Sequence, residues 1–274
     1  MFDTVIEMLS YPFMTRAFLV GSLVALCSAL LGVSLVLKRY SMIGDGLSHV
    51  GFGAMAIAAA MNAAPLTVAI PVVIVAAILL LRISGNAKIK GDAAIALIST
   101  TSLAVGVMVI SLTTGMNTDV YNYMFGSILA MSAEDVKLSL VLSVFVLILF
   151  IVFYHKIFAI TFDETFASAT GVKAGVYNTL IAVLTAVTIV LGMRMMGALL
   201  ISSLIIFPAL TSMRVCRTFK SVIINAAVIS VVCLIAGVTL SYVAATPAGA
   251  SVVLANLVMM VLYTVVGAVK NHMR

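Results

Sequence analysis

Apolar stretches long enough to cross a bilayer recur along the whole of this sequence. A membrane-spanning helix needs about 20 predominantly apolar residues, and a helix satisfies its own backbone hydrogen bonds in lipid. Only 9% of the 274 residues are charged, whereas soluble domains average about 25%. The sequence therefore predicts an all-α, polytopic integral membrane protein in which residues 1–274 form a single transmembrane domain. Nine spans are predicted: Ala17 to Leu37, Ser41 to Met61, Leu66 to Ile83, Ala93 to Leu112, Val136 to Tyr154, Val176 to Met193, Gly197 to Met213, Ser221 to Val243 and Ala250 to Val269.

The number of spans depends on two places in the chain. It falls to eight if Ala17 to Leu37, or the short pair of spans around Gly192 to Gly197, does not cross fully. The preceding residues 1–16 include Asp3 and Glu7, whereas a secretory signal starts with basic residues. We therefore expect this segment to be retained and to lie at the membrane interface.

The positive charges divide unevenly between alternate connecting loops. Of the 15 Lys and Arg residues, only Arg16, Lys137 and Arg194 belong to one set of loops. Cytoplasmic loops are enriched in Lys and Arg, so the other set is predicted to be cytoplasmic, with the N-terminus outside and the C-terminus inside. The net charge of +6 thus reflects membrane orientation and indicates no nucleic-acid partner. The cytoplasmic set is Lys38, Arg39, Arg82, Lys88, Lys90, Lys156, Lys173, Arg214, Arg217, Lys220, Lys270 and Arg274.

One predicted span carries two ionisable side chains. Asp45 and His49 are the only acidic residue and the only histidine inside any of the nine stretches. A charge in hydrocarbon costs at least about 2.5–3.5 kcal/mol, so a residue kept there is by default a functional candidate. Residues at i and i+4 share one helix face, so the carboxylate and the imidazole point towards a common spot. That arrangement is half of a metal site.

Three interpretations of Asp45 and His49 are open. The first is a structural pair that satisfies groups on neighbouring helices. The second is a proton relay, but a relay needs further ionisable groups in the membrane, and the other spans supply none. The third is a divalent metal site, for which two ligands from one chain are too few. A C2 homodimer would present both residues twice, and this oxygen and nitrogen set suits zinc, manganese or ferrous iron.

Motifs for enzymatic chemistry are missing from the sequence. There is no HExxH helix, no GxSxG elbow and no Walker A loop, so the chain is not expected to be an enzyme or to hydrolyse ATP by itself. The three cysteines lack the spacing of a metal site or disulfide. Met193, Met195 and Met196 are interpreted as core gap-fillers, with soft ligands for copper(I) as the alternative. Arg194 is interpreted as a residue that snorkels to the interface from the outer turn GMRMMG, Gly192 to Gly197.

The longer of the two extended connections is on the predicted outer side, from Thr113 to Asp135. Its part from Val120 to Met131 is apolar enough for a short interfacial or re-entrant helix. Asp119, Tyr121 and Asn122 are interpreted as a solvated loop, with reception of an arriving cation as the alternative.

The inner connection, about residues 155–175, is the only cytoplasmic loop long enough to hold a helix and its flanks. Thr165 to Thr170 is predicted to form that helix, capped by Asp163 or Glu164 and ended by Gly171. A cytoplasmic partner is therefore expected to dock on this loop.

Several motifs resemble one family. The run LKRYSMIGDGLSH from Leu37 to His49 closely resembles the basic pair and GDxxSH motif of the membrane permease subunits of bacterial zinc and manganese ABC transporters. The outer segment Tyr123 to Leu129 is similar to a segment of that family, and the stretch from Gly197 to Pro208 resembles its late glycine-to-proline span. In the inner loop, FDE with Ala167 and Gly171 resembles its ATPase-facing motif. The order of motifs is the same, with one departure at Gly46, where alanine is usual and where we expect a looser helix.

The resemblance implies a homodimeric permease in the plasma membrane of a bacterium that imports a divalent transition metal, Zn²⁺ or Mn²⁺, with Fe²⁺ as a further alternative. It also implies separate cytoplasmic ATP-binding subunits that use ATP, an extracytoplasmic metal-binding protein that delivers the metal, and no resident cofactor. By carry-over, Asp45 and His49 would contact the metal in the pathway. The ATPase-coupling residues would be Asp163, Glu164, Ala167 and Gly171.

Without the resemblance, two other functions stay open. A stand-alone proton-coupled metal carrier or channel would transport metal without nucleotide. A scaffold or anchor would not transport metal and would not be stabilised by it.

Overall fold

The computed structural model describes residues 10–84, 91–113 and 132–272. Within these ranges the chain forms eleven α-helices and no β-strand, which confirms the predicted all-α class. The helices are α1 (Pro12–Leu37), α2 (Ile43–Ala60), α3 (Pro65–Ser84), α4 (Gly91–Thr113), α5 (Ala133–Val152), α6 (Tyr154–Phe162), α7 (Glu164–Ala169), α8 (Ala174–Met196), α9 (Ala198–Met213), α10 (Phe219–Ala244) and α11 (Ala248–His272).

Eight of the helices in the described ranges are long and apolar enough to cross a membrane. The ninth predicted span corresponds to α9, whose 16 residues rise about 24 Å at 1.5 Å per residue. That is shorter than the hydrocarbon core of about 30 Å. α9 is enclosed by α1, α10 and α11, so neighbouring protein covers much of its surface. The count of eight long helices and one short one agrees with the predicted eight or nine spans.

The first helix starts earlier than the first predicted span. α1 begins at Pro12, a residue suited to a helix start because its missing N–H is not needed there. The last residues of the predicted interfacial segment, Pro12 to Arg16, therefore belong to α1. Residues 1–9 lie outside the described ranges, and their placement at the membrane interface stays a prediction.

The corner between α8 and α9 consists of one residue. Gly197 has φ of 86° and ψ of 162°, a conformation that essentially only glycine adopts and that costs other residues about 1–3 kcal/mol. α8 runs without interruption from Ala174 to Met196, so the residues from Gly192 to Met196 are helical. They were predicted to form an outer turn, and that prediction is wrong because the glycine corner makes a longer turn unnecessary.

Glycines bring the central helices into backbone contact. A Cβ added at Gly32 of α1 would lie 2.1 Å from the backbone oxygen of Ile205 in α9. In the most apolar stretch of each helix, 67% of the residues of α1, 72% of those of α2 and 67% of those of α8 are buried. The corresponding share in α11 is 17%. Small residues allow this kind of close approach in membrane helix bundles, and the less buried helices keep apolar side chains on the outside.

Residues that were predicted on the same side of the membrane meet in the structure. Lys38 lies beside Glu164, and both were predicted in cytoplasmic loops. Arg194 Nη2 lies 3.9 Å from Asp135 Oδ2, and both were predicted on the outer side. The Arg194 side chain is only 16% exposed, so neighbouring protein covers most of it, and its reach to the membrane interface stays a prediction. The pairings support the alternation of the loops, while the cytoplasmic identity of one side stays a prediction.

Candidate metal site and coupling segment

The metal candidates lie at the beginning of α2. Asp45 is in the first turn of this helix and His49 follows one turn later. The expected loosening at Gly46 is not observed, because α2 is continuous from Ile43 onwards. A Cβ at Gly46 would lie 2.6 Å from Ile95 Cγ2 of α4. The glycine therefore lets α4 pack directly against the turn that carries Asp45.

The carboxylate and the imidazole are close enough to act on one ion. His49 Nε2 lies 3.7 Å from Asp45 Oδ2, which is too far for a hydrogen bond. Two ligand atoms that each lie about 2.1 Å from a tetrahedral metal are about 3.4 Å apart. A small side-chain movement would thus place both atoms in one coordination shell. The Asp45 and His49 side chains are 48% and 22% exposed, so both remain accessible on the surface of a single chain.

One chain supplies an incomplete ligand set over the described ranges. Among those residues, no group of three or more His, Cys, Asp or Glu side chains is arranged to hold a metal. The Ser48 hydroxyl donates its hydrogen bond to the Asp45 carbonyl oxygen at 2.7 Å and so stays on its own helix. Met193, Met195 and Met196 are buried in the core, in agreement with their interpretation as packing residues.

The inner connection is largely helical. α7, Glu164–Ala169, lies where a short helix was predicted, and Asp163 is its cap because Asp163 Oδ1 accepts a hydrogen bond from the Phe166 N–H at 2.8 Å. Gly171 follows with φ of 88°, as expected for the residue that ends a helix. Ala167 is buried. The preceding helix α6 was not foreseen from the sequence, because its nine residues directly continue the apolar stretch of α5.

Glu164 belongs to a cluster with Lys38 and Asn178, here called the Lys38 cluster. Lys38 Nζ lies 3.1 Å from Glu164 Oε2 and also donates to Asn178 Oδ1, and Asn178 Nδ2 donates to Glu164 Oε1 at 2.9 Å. Partial burial alone would raise the pKa of Glu164, but the hydrogen bonds from Asn178 and Lys38 and the Lys38 charge hold that pKa below its usual value. Sequence reasoning missed the roles of Lys38 and Asn178, which no local spacing reveals.

Aromatic side chains form an exposed apolar surface beside α7. The rings of Phe158 and Phe162 lie 5.0 Å apart, and each also contacts the ring of Phe219. Phe162 and Phe166 are both more than half exposed. An apolar patch on a connection between spans is a feature of protein interaction sites.

The predicted features of the outer connection belong mainly to residues 114–131. Asp119, Tyr121 and Asn122, the segment from Tyr123 to Leu129, and the short helix from Val120 to Met131 all lie outside the described residues.

A family model described as the ABC 3 transport family matches residues 10–267. The chain belongs to this family. The match spans α1 to most of α11 and confirms the resemblance drawn from the sequence motifs. Its relatives include the membrane proteins of zinc and manganese transport systems, and this chain is accordingly the membrane subunit of an ABC transport system.

Individual relatives agree over nearly the whole length. The chain is 30% identical over 246 residues to the high-affinity zinc uptake system membrane protein ZnuB of Haemophilus influenzae, a match that covers 90% of this chain and 94% of ZnuB. It is 28% identical to the manganese transport system membrane protein MntC of Halalkalibacterium halodurans, covering 90% and 85%. Among solved structures, PsaBC from Streptococcus pneumoniae in complex with Fab matches with a TM-score of 0.85 and 26% identity, covering 95% of this chain and 94% of the matched chain.

Proposed function

We propose that this chain is the membrane subunit of an importer for a divalent transition metal, Zn²⁺ or Mn²⁺ with Fe²⁺ as a further alternative. Asp45 and His49 contact the metal as it crosses. The observation that carries the proposal is the 3.7 Å separation of His49 Nε2 and Asp45 Oδ2 at the start of α2. The relatives named for zinc and for manganese support the class of cargo, and a carboxylate with an imidazole suits either metal.

A second copy of the chain completes the site. One chain offers two ligands, whereas a C2 dimer offers two carboxylates and two imidazoles around its axis. The partial exposure of Asp45 and His49 leaves both side chains available to a facing copy. Four protein ligands replace part of the water shell of the ion and so lower the barrier to its passage.

The remaining partners act from opposite sides of the membrane. Cytoplasmic ATP-binding subunits dock on the segment from Asp163 to Gly171, where Phe166 offers an exposed apolar anchor. An extracytoplasmic metal-binding protein delivers the ion to the outer side. The chain lies in the bacterial plasma membrane with its N-terminus outside and its C-terminus inside, in keeping with the excess of Lys and Arg in one set of loops.

Transport requires that ATP use by the cytoplasmic subunits be coupled to passage of the delivered metal ion. ATP-driven closure of the partner subunits pushes on α7. The spans then tilt, and the site formed by Asp45 and His49 opens to the cytoplasm. Hydrolysis takes place in the partner, and this chain supplies the pathway.

The test is uptake of ⁶⁵Zn²⁺ or ⁵⁴Mn²⁺ into proteoliposomes that contain either the complete complex or this chain alone. We expect uptake only with the complete complex and ATP. Equal uptake by the chain alone without nucleotide would show a stand-alone carrier or channel instead. A complete complex that hydrolyses ATP and moves no metal would also contradict the proposal.

A further inference from the structure

One lysine joins the coupling segment to the helix that carries the metal candidates. Lys38 is the C-cap residue of α1. Its ammonium group contacts Glu164 at the start of α7 and Asn178 in α8, and the last two side chains also contact each other. The Lys38 cluster is therefore a closed ring of three contacts between parts of the chain that lie far apart in sequence.

The burial of Lys38 indicates a fixed contact rather than a solvated charge. Its side chain is only 11% exposed, and a charge removed from water to this degree needs partners to offset the loss of hydration. Glu164 supplies the opposite charge and Asn178 a neutral acceptor. Ion pairs on open surfaces contribute little to stability, whereas this ammonium is largely buried and contacts both Asn178 and the half-exposed Glu164.

The short stretch between Lys38 and Asp45 is tightly hydrogen-bonded. The Tyr40 N–H donates to the Leu35 carbonyl at 2.8 Å, and the Ile43 N–H donates to the Tyr40 carbonyl at 3.0 Å. Arg39, which directly precedes Tyr40, has φ of 62°. Lys38 is thus connected to the first turn of α2 through residues 39–42, which backbone hydrogen bonds hold in place.

We propose that Lys38 is a positioning residue that transmits the movement of α7 to Asp45 and His49. When the ATP-binding partners displace α7, Glu164 and Asn178 move Lys38, and Lys38 moves the start of α2. This inference rests on the proposed function, because it assigns the internal link by which ATP use in the partner changes the metal site.

The experiment measures metal transported per ATP hydrolysed by the complete complex in proteoliposomes. The variants are Lys38→Met, Glu164→Gln and the double variant, all close in size to the native residues. Lys220→Met is the control, since Lys220 is an exposed lysine in the first turn of α10. We expect Lys38→Met and Glu164→Gln each to lower the ratio at least fivefold while ATP hydrolysis continues. The double variant is expected to be no worse than the stronger single variant, because contacting residues are non-additive.

A purely structural role for Lys38 predicts a different pattern. Lys38→Met would then lower the yield or melting temperature of the complex and leave the ratio unchanged, which would overturn the proposal. Fivefold losses that multiply in the double variant would overturn it as well. If Lys38→Met does not assemble, Asn178→Ala replaces it in the same cycle, because that variant keeps both charges. Absence of ATP-driven uptake by the wild-type complex would contradict the proposed function itself. Uptake by the wild-type complex is therefore measured before that of any variant.

Discussion

Lys38 Nζ and Glu164 Oε2 lie 3.1 Å apart although 126 residues separate them in the sequence. The contact ties the end of α1 to the start of α7. Together with Asn178, it favours the ionised form of Glu164 and outweighs the partial burial that opposes ionisation. The contact therefore has a consequence for the dependence of stability on pH.

The stabilisation by Glu164 is expected to be lost in acid. A carboxyl whose pKa is lower in the folded state than in the unfolded state releases its proton more readily when folded, so stability rises with pH across that range. The contribution is complete above about pH 5, since the unfolded pKa of Glu is about 4.3, and it disappears as the pH falls through the lowered folded value. We expect the melting temperature of the wild type to exceed that of Glu164→Gln by a constant amount from pH 7 to about pH 5 and to converge with it below.

Asp92→Asn serves as the control for removal of an exposed carboxylate, because Asp92 is an exposed residue in the first turn of α4. At pH 7 its melting temperature is expected to lie closer to that of the wild type than the melting temperature of Glu164→Gln does. A difference between wild type and Glu164→Gln that grows on acidification would contradict the prediction.

Removing either metal candidate is expected to stop transport without unfolding the protein. Asp45→Asn and His49→Gln keep the approximate shape of each side chain but remove the charge or the imidazole ligand. We expect metal uptake by the complete complex to fall at least about tenfold for each, since disturbing a metal site commonly costs that much. Uptake assays should be paired with melting curves, and Asp92→Asn is again the matched control. Normal uptake by both variants would show that these residues are a structural pair.

The contact between α1 and α9 is expected to leave no room for one additional methyl group. In Gly32→Ala the new Cβ would lie 2.1 Å from the Ile205 backbone oxygen, so the helices must separate. Overpacking of this kind costs about 1–3 kcal/mol, which should appear as a clear fall in the melting temperature of the purified protein. Gly175→Ala in α8 is the matched control, because a Cβ there meets nothing within 4 Å.

Gly175→Ala itself is expected to be neutral or to stabilise the protein by up to about 1 kcal/mol, since glycine lowers the stability of a helix. Equal melting temperatures for Gly32→Ala and the wild type would mean that the two helices are not in backbone contact.

Local patterns were sufficient to predict the helices and the metal candidates. Each predicted span corresponds to a helix because lipid leaves the backbone little alternative, and Asp45 and His49 had to be one turn apart once α2 was helical. The cap at Asp163 and the glycine end at Gly171 also follow from residue types within a few positions.

Contacts between segments that are distant in the sequence were not predicted. Lys38 was read as one of twelve loop charges, and nothing within a few residues of it indicates Glu164 or Asn178. The contact between Arg194 and Asp135 was likewise not predicted, because Asp135 lies on another helix. Hydropathy and spacing report the neighbourhood along the chain, whereas these ion pairs depend on how α1, α5, α7 and α8 are packed.

The central claim is that paired copies of Asp45 and His49 hold the metal that crosses the membrane. The most direct measurement is the amount of Zn²⁺ or Mn²⁺ bound per chain in the purified, nucleotide-free complex, determined by equilibrium dialysis and elemental analysis. We predict one ion for every two chains, and loss of that ion in Asp45→Asn and in His49→Gln. The same stoichiometry in the wild type and in both variants would contradict the claim.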